Sequence, residues 1–371
     1  MAAVTLHESN APTGTRTLHT LDALRGVAAI AVVAFHYPEW LVPLSPSSGY
    51  LAVDLFFVLS GIVIARSYDA RFGGGMSSAE FLGKRLIRLY PLYALGTLLG
   101  LSFRLASVLG HFQHFNVPEL LMTAARSAFF IPSPAGRDTP VLFPLDLPAW
   151  SLFWELMVNV LFALSWRFLT GARLVAIVLV SATGLVFLII ASGNANGGFT
   201  SSSWLMGFTR AVFGFAFGVL LARYTAKDRR RPSAVAFVTL TAATVFLLSV
   251  HTELRAAYDL CCILILFPLI AHLAVRFEPP AVLQSTATFL GLISYALYLL
   301  SFPLLGAVNV VLPRLSIDPG IRLTAVLVAA LLAACWLADR IYDAPLRRYL
   351  AERVFRASAQ HDFSIRFREQ R

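Results

Sequence analysis

Ten apolar stretches, each long enough to cross a lipid bilayer as a helix, dominate the 371-residue chain. At 1.5 Å of rise per residue, a stretch of roughly 18 to 26 residues covers the hydrocarbon core of a membrane. Only 13% of the residues are charged and the mean hydropathy is +0.72, so the chain has too little polar surface for an ordinary soluble enzyme. The sequence therefore predicts an all-α, polytopic integral membrane protein, a helical bundle of about ten transmembrane helices. The predicted spans are 21–42, 50–68, 88–109, 149–169, 173–192, 203–224, 233–250, 257–277, 286–311 and 321–342.

The positive charges indicate how the chain is oriented. If the N-terminus is cytoplasmic, 22 of the 30 lysine and arginine residues lie on the cytoplasmic face and 5 on the opposite face. Positive residues concentrate on the cytoplasmic side of membrane proteins, so both termini are predicted to be cytoplasmic. This distribution also accounts for the net charge of +10 without a nucleic-acid partner.

Three parts of the chain can be distinguished by polarity. Residues 1–20 form a short cytoplasmic tail without the pattern of a cleaved signal, residues 21–345 form the membrane domain, and residues 346–371 form a basic cytoplasmic tail suited to a membrane surface. The connection 110–148 is long, rich in proline and predicted to lie outside, with an interfacial helix near 118–130. Its polar residues are either contacts for a substrate or ordinary exposed residues: His111, His114, Arg126 and Arg137.

The cysteines do not indicate a metal site. Cys261, Cys262 and Cys335 all lie in apolar runs, without the spacing of metal ligands or of a disulfide framework. We interpret them as packing residues and predict no metal.

Five charged or titratable residues fall inside five different predicted spans. Counted from the nearer outer end of each span, they share one depth, about 6 to 10 Å below the outer surface at helical rise. Ionisable groups inside a membrane are costly and usually mark function, although each one alone also fits a snorkelling or helix-capping residue. The five residues are His36, Asp54, Arg104, Glu155 and Arg210.

Two spacings place polar residues on shared helix faces. Arg25 and His36 are eleven residues apart, which is about 20° beyond three turns and about 16 Å of rise, so they share one face at different depths. Ser151, Glu155 and Asn159 follow at intervals of four residues and form a polar stripe on an apolar helix. The stripe fits either a substrate site or hydrogen bonds between helices.

Two arginines lie one turn apart at the predicted cytoplasmic start of the third span. Arg85 and Arg88 can converge on a phosphate, because guanidinium groups bind phosphate oxygens in a fork geometry. The alternative is that they are anchors that set topology, and spacing alone does not decide between the two.

Four motifs in order make the chain similar to the acyltransferase 3 family, polytopic O-acyltransferases that modify bacterial polysaccharides and some antibiotics. The similarity covers about residues 21 to 347. The motifs are Leu21-Asp22-Ala23-Leu24-Arg25-Gly26 followed by His36, Asp54-Leu55-Phe56-Phe57-Val58-Leu59-Ser60-Gly61, Arg85-x-x-Arg88-x-x-Pro91, and Trp150-Ser151-Leu152-x-x-Glu155.

The chain departs from the family pattern at two places. Leu156 and Met157 stand where members often have Glu and Gln, and the usual closing Glu-x-Pro appears as Asp343-x-Pro345. These changes concern the neighbours of Glu155 and leave the framework of arginines and His36 intact.

The resemblance implies transfer of an acyl group, acetyl by the family's default, from cytoplasmic acyl-CoA to a hydroxyl of a carbohydrate or lipid-linked glycan. On this hypothesis Arg25, Arg85 and Arg88 hold the phosphates of acyl-CoA, which is a co-substrate rather than a tightly bound cofactor. His36 is the general base, and Asp54 or Glu155 orients its ring. Arg104 or Arg210 offsets oxyanion charge or pairs with a carboxylate.

Trp150, Ser151 and Asn159 complete the polar layer as substrate or structural residues. The family further implies the inner membrane of a bacterium, with the bilayer and a glycan acceptor as partners. Two other classes fit ten spans with buried charges, an ion-coupled transporter and a non-catalytic scaffold for polysaccharide assembly.

Overall fold

A computed structural model describes residues 18–38, 46–109, 117–133, 140–225, 230–316 and 320–355, and this part of the chain is mostly helical. The one short sheet in it pairs β1 (Arg231–Pro232) with β2 (Phe277–Glu278) in parallel. The helices are α1 (His19–His36), α2 (Ala52–Gly73), α3 (Ser78–Leu109), α4 (Val117–Ala128), α5 (Ala149–Ser165), α6 (Gly171–Ser192), α7 (Trp204–Tyr224), α8 (Ala234–Ser249), α9 (Arg255–Ala274), α10 (Ala281–Arg314) and α11 (Arg322–Phe355).

Each predicted span overlaps one of these helices, and the part of the first span beyond residue 38 lies outside the described residues. Within the described residues, 8 helices are long and apolar enough to cross a membrane. The other two predicted spans are α1, with 18 residues and charged groups near one end, and α8, with 16 residues. The prediction of an all-α polytopic membrane protein is confirmed, and the cytoplasmic location of both termini stays a prediction.

Several helices are longer than the apolar stretches that predicted them. α3 begins at Ser78 rather than near residue 88, because the Ser77 hydroxyl accepts the Glu80 amide at 3.1 Å and satisfies a free donor of the first turn. α11 continues to Phe355, beyond the predicted end at 342. Hydropathy finds the part of a helix that lies in lipid, whereas capping determines where the helix ends.

Glycine lets two pairs of helices approach closely. At Gly61 and Gly218, where α2 crosses α7, an added Cβ would overlap the carbonyl oxygens of Phe215 and Val58. Gly26 of α1 meets α10 at Leu290 in the same way. Small residues at helix crossings are typical of membrane bundles, where close packing replaces the hydrophobic effect as the force between helices.

The segment around α4 folds back into the bundle. The predicted interfacial helix at 118–130 is present as Val117–Ala128, and Tyr93 in the middle of α3 donates its hydroxyl to Ser127 O at 2.6 Å. Leu145 and Asp146 then press against Gly100 and Gly96 of α3, where a Cβ would overlap Leu145 O and an Asp146 carboxylate oxygen. Gly96 lies about 20 Å of helix below the end of α3, so irregular backbone enters the membrane region, where it is buried in protein rather than exposed to lipid.

Two single-turn π-helical segments interrupt α9 and α11. They are Cys262–Leu266 and Ala338–Asp343, and each is followed two residues later by a proline, Pro268 or Pro345. Proline lacks an N–H and cannot make the regular helical bond, so the wider turn accommodates it. The second segment presents Asp343 to the interior of the bundle, where this carboxylate is fully buried.

Candidate active site

Two cavities meet in the centre of the bundle. The first, here called the inner cavity, has a volume of about 180 Å³ and is lined by residues that include Arg25, Arg85, Arg88 and Glu155. The second, the outer cavity, has a volume of about 240 Å³ and is lined by residues that include His36, Tyr50, Leu147, Pro148, Trp150 and Arg210. Val53 and Tyr298 line both cavities, so the two spaces adjoin at these side chains.

The inner cavity is positively charged. Arg85 Nη2 donates to Glu155 Oε1 at 2.9 Å, and the Arg88 guanidinium lies 3.6 Å from Asp343 and over the ring of Tyr295. Among the described residues, Arg85 Nε and Arg88 Nη1 are buried and have no hydrogen-bond partner. Arg88 Nη1 is the atom that lies 3.6 Å from the Asp343 carboxylate, so it already faces an anion. A buried donor without a partner is costly, so Arg85 Nε makes this cavity suited to an anion that would accept from it.

Arg25 lies at the same end of the molecule. It pairs with Asp22 at 3.2 Å, donates to Gly291 O at 3.3 Å and is partly exposed. The structure therefore brings together the three arginines predicted to hold phosphate, although that role itself stays a prediction.

The sequence predicts that Glu155 and His36 lie at one depth, but the structure places them in different cavities. Glu155 lines the inner cavity, where its Oε1 accepts from Ser60 Oγ and from Arg85, both at 2.9 Å. The physical reason is the re-entrant segment before α5. Because Leu145 and Asp146 already lie deep in the bundle, α5 begins below the membrane surface, and Glu155 lies nearer the cytoplasmic end than counting from the surface predicts.

His36 ends α1 and faces the outer cavity. Its Nδ1 lies 2.8 Å from Val32 O, a carbonyl that only accepts, so we assign the proton of the neutral ring to Nδ1 and leave Nε2 free to take a proton. Phe35 contacts the ring edge-on, with the ring centroids 5.2 Å apart. Neither Asp54 nor Glu155 is among the described contacts of the ring, so the expectation that one of these carboxylates orients it is wrong. The Val32 carbonyl provides that orientation instead.

Asp54 is engaged by Arg210. The guanidinium donates to both carboxylate oxygens, at 2.9 and 2.7 Å, and also to Gly197 O and Tyr50 O. Both side chains are almost completely buried, and the Arg210 guanidinium also lies 5.5 Å from the centre of the Trp150 ring. Of the alternatives weighed for Arg210, the structure shows the pairing. Asp54 is thereby placed in a structural ion pair whose arginine lines the outer cavity.

The comparison with known families matches this chain to the acyltransferase domain model Acyl_transf_3 over residues 18–340. The chain belongs to the acyltransferase 3 family. The protein is therefore an acyltransferase, and the family together with the apolar helices indicates a multi-pass membrane protein.

Two curated proteins are similar to this acyltransferase. "Protein 2 in picA locus" of Rhizobium radiobacter is 38% identical over 182 residues, which covers 46% of this chain and 93% of that protein. "Putative acetyltransferase ORF330" of Acidianus two-tailed virus is 25% identical over 299 residues, which covers 78% of this chain and 84% of that protein. No solved structure matches the chain.

The polar stripe on α5 of the acyltransferase makes one contact with α10 and one within α5 itself. Ser151 Oγ lies 2.6 Å from the Tyr298 hydroxyl, and Asn159 Nδ2 donates to Glu155 O at 2.7 Å. Trp150 lines the outer cavity, as described above. Arg104 lies half-buried on α3 and is not among the residues that line either cavity.

The predicted outer connection contributes to the outer cavity through Leu147 and Pro148. Arg126 lies on α4, on the same re-entrant segment. The other polar residues proposed there, His111, His114 and Arg137, lie outside the described residues. Within the described part of the acyltransferase, no group of three or more His, Cys, Asp or Glu residues could hold a metal ion.

Sequence reasoning missed a row of hydroxyl groups on α10. Ser294, Tyr295 and Tyr298 line the inner cavity, and the Tyr295 hydroxyl donates to Leu89 O at 2.5 Å. Ser294 and Tyr295 each lie about one turn from Tyr298 on one side of an apolar helix, and that spacing is the signal that would have found them. Serine and tyrosine are compatible with an apolar stretch, so they do not stand out in a membrane-spanning sequence as charged residues do.

Proposed function

We propose that this acyltransferase moves an acyl group, acetyl by the family's default, from cytoplasmic acyl-CoA to a hydroxyl of a carbohydrate or lipid-linked glycan on the outer side of a bacterial inner membrane. The observation that carries the proposal is the pair of adjoining cavities, one with three arginines and one with His36. An acyl donor with a phosphorylated end and a long neutral arm fits such an arrangement, because its charge and its thioester must be bound far apart.

The distance between the two binding regions supports a pantetheine arm. Arg25 and His36 lie on the same face of α1, separated by about 16 Å of helical rise. A nucleotide held by Arg25, Arg85 and Arg88 would reach the outer cavity only through an extended arm. The concentration of basic residues on the predicted cytoplasmic side agrees with a donor that enters from the cytoplasm.

His36 is the proposed general base. With Nδ1–H donated to Val32 O, Nε2 takes the proton of the acceptor hydroxyl as its oxygen attacks the thioester carbon. When the carbon–sulfur bond breaks, the imidazolium returns the proton to the departing thiolate, so the ring ends the cycle neutral. The acceptor would occupy the outer cavity beside Trp150, whose flat ring suits a sugar face.

Purified protein in detergent tests this proposal directly. With acetyl-CoA as the probe, we expect release of free CoA thiol that depends on an added glycan fraction from the host, and mass spectrometry should find an acetyl group on that fraction. The same cells with the gene deleted should lack this acetyl group and thereby identify the acceptor. A protein that moves glycan across liposomes without acetylating it, or that leaves acetyl-CoA intact with every glycan fraction, would contradict the proposal.

We expect Arg85→Gln combined with Arg88→Gln to raise KM for acetyl-CoA by at least about 10²-fold, because each hydrogen bond to a charged group contributes about 1.5–3 kcal/mol and about 1.4 kcal/mol is tenfold. Acetyl-pantetheine, which lacks the nucleotide phosphates, should be used equally well by the variant and the unchanged protein.

Lys84→Gln is the matched control. Lys84 lies on the same helix, pairs with Glu80 at 2.6 Å and does not line the inner cavity. Its replacement should leave KM unchanged. If the double variant keeps its KM for acetyl-CoA, both arginines are topology anchors.

A further inference from the structure

Tyr298 is the polar residue at the junction of the two cavities. Of the described residues, only Val53 and Tyr298 line both spaces, and the side chain of Val53 carries no hydrogen-bonding group. A thioester whose CoA occupies the inner cavity and whose carbonyl is attacked from the outer cavity must pass beside these two side chains. The phenol of Tyr298 is therefore a neutral donor at the point where the two substrates would meet.

The ring of Tyr298 is held in place. It contacts Phe56 edge-on, with the ring centroids 5.5 Å apart, and only 8% of the residue is exposed. Phe302, one turn further along α10, contacts His36, with the ring centroids 6.5 Å apart. Tyr298 thus lies one helical turn from the residue that touches the proposed base.

A hydrogen-bond relay can free the Tyr298 hydroxyl. The Ser151 Oγ atom lies 2.6 Å from that hydroxyl and 3.2 Å from Pro148 O. With Ser151 donating to Pro148 O, Tyr298 donates to Ser151. If the Ser151 hydroxyl turns to donate to Tyr298, the phenolic proton becomes available to a third group.

This rearrangement leaves no carbonyl without a donor. Pro148 O also accepts the backbone N–H of Ser151, at 3.2 Å, and keeps that bond when the serine hydroxyl turns away. The relay therefore exchanges one hydrogen bond for another and breaks no other described contact.

We propose that Tyr298 is a catalytic residue that donates its phenolic hydrogen bond to the thioester oxygen, and that Ser151 is a positioning residue that supports it. The inference rests on the acyl transfer proposed above. As the acceptor oxygen bonds to the thioester carbon, the electron pair of the C=O bond moves to oxygen, and the Tyr298 O–H stabilises the charge that develops there. The pair returns when the carbon–sulfur bond breaks, and Tyr298 keeps its proton throughout.

Tyr298→Phe tests the proposal, because it removes the hydroxyl and keeps the ring that packs on Phe56. We expect kcat to fall by about 10²-fold, the usual effect of losing one oxyanion donor, with KM for acetyl-CoA and for the acceptor changed by less than about threefold. Ser151→Ala breaks the same hydrogen bond and leaves the Tyr298 hydroxyl in place. Its kcat should fall by less than about tenfold.

The comparison of these two variants separates catalysis from structure. If the Tyr298–Ser151 bond only held α5 against α10, both variants would be affected equally, and equal losses overturn the proposal. An unchanged kcat in Tyr298→Phe overturns it as well. So does a Tyr298→Phe protein that no longer elutes as a folded species in size-exclusion chromatography, since the hydroxyl would then support the fold.

Failure of the proposed function would appear differently. In that case the unchanged protein would transfer no acetyl group from acetyl-CoA, and no comparison of variants would be reached. Failure of the present inference appears as normal transfer by the unchanged protein together with the wrong ranking of the two variants.

Discussion

Replacing His36 with alanine is expected to lower the rate of acyl transfer by about 10²- to 10⁴-fold, the range that a positioned general base contributes. The ring faces the outer cavity, and its bond to Val32 O leaves Nε2 as the free nitrogen. The alanine variant keeps α1 but has no group in this position to take the acceptor proton. Steady-state release of CoA thiol from acetyl-CoA, with the acceptor present, measures the loss.

His19→Ala is the control on the same helix. His19 lies at the other end of α1, where Nδ1 is 3.1 Å from Thr288 Oγ1, and it lines neither cavity. We expect its replacement to change the rate by less than about twofold, since surface substitutions away from a site have small effects. Imidazole added to His36→Ala should restore part of the activity, because the deleted ring leaves space that opens on the outer cavity.

Two outcomes would contradict the base assignment. One is full transfer by purified His36→Ala protein. The other is an inactive His36→Ala protein that also fails to elute as a folded species, while His19→Ala elutes normally. The second outcome would make His36 a packing residue, and imidazole would then restore nothing.

Local geometry explains which features of the site could be predicted from sequence. Arg25 and His36 belong to one helix, so their shared face and their separation follow from helical rise and rotation alone. The spans followed from apolar length in the same way, and each of the ten stretches overlaps a helix of the described residues. These predictions needed no knowledge of how the helices pack.

Contacts between distant segments explain what the sequence did not reveal. Asp54 and Arg210 are separated by 156 residues, so the carboxylate could be assigned to His36 as easily as to the arginine. The depth of Glu155 depends on the re-entrant segment. That segment can enter the bundle because it packs against Gly96 and Gly100 of α3, where a larger residue would overlap it. From sequence alone, neither glycine indicates that another segment packs against it.

The Asp54–Arg210 pair gives the second large effect, which is on stability. Arg210→Met should lower the free energy of unfolding by about 3–5 kcal/mol, because it leaves the Asp54 carboxylate buried without its partner. Both side chains of the pair are almost completely buried, so water cannot replace Arg210 as the partner of the Asp54 carboxylate. Unfolding of the detergent-solubilised protein, followed by far-UV circular dichroism, measures the change.

A double variant shows how much of that loss comes from the unpaired charge. Asp54→Leu with Arg210→Met removes both charges, and replacing a whole buried ion pair with apolar residues is often far less destabilising than breaking it. Recovery should be incomplete here, because Gly197 O and Tyr50 O also lose the donors that Arg210 supplies. We therefore expect the double variant to lie between Arg210→Met and the unchanged protein.

The same variants decide whether Asp54 belongs to the chemistry. If it is only the partner of Arg210, Asp54→Asn should lose stability while each folded molecule turns over within about tenfold of the normal rate, because the amide still accepts from Arg210. If Asp54 took part in proton transfer, that variant would be folded and inactive, with a loss comparable to that of His36→Ala. A structural role thus predicts lower stability with turnover kept, whereas a catalytic role predicts a folded protein with turnover lost. The bidentate geometry at 2.9 and 2.7 Å favours the structural role.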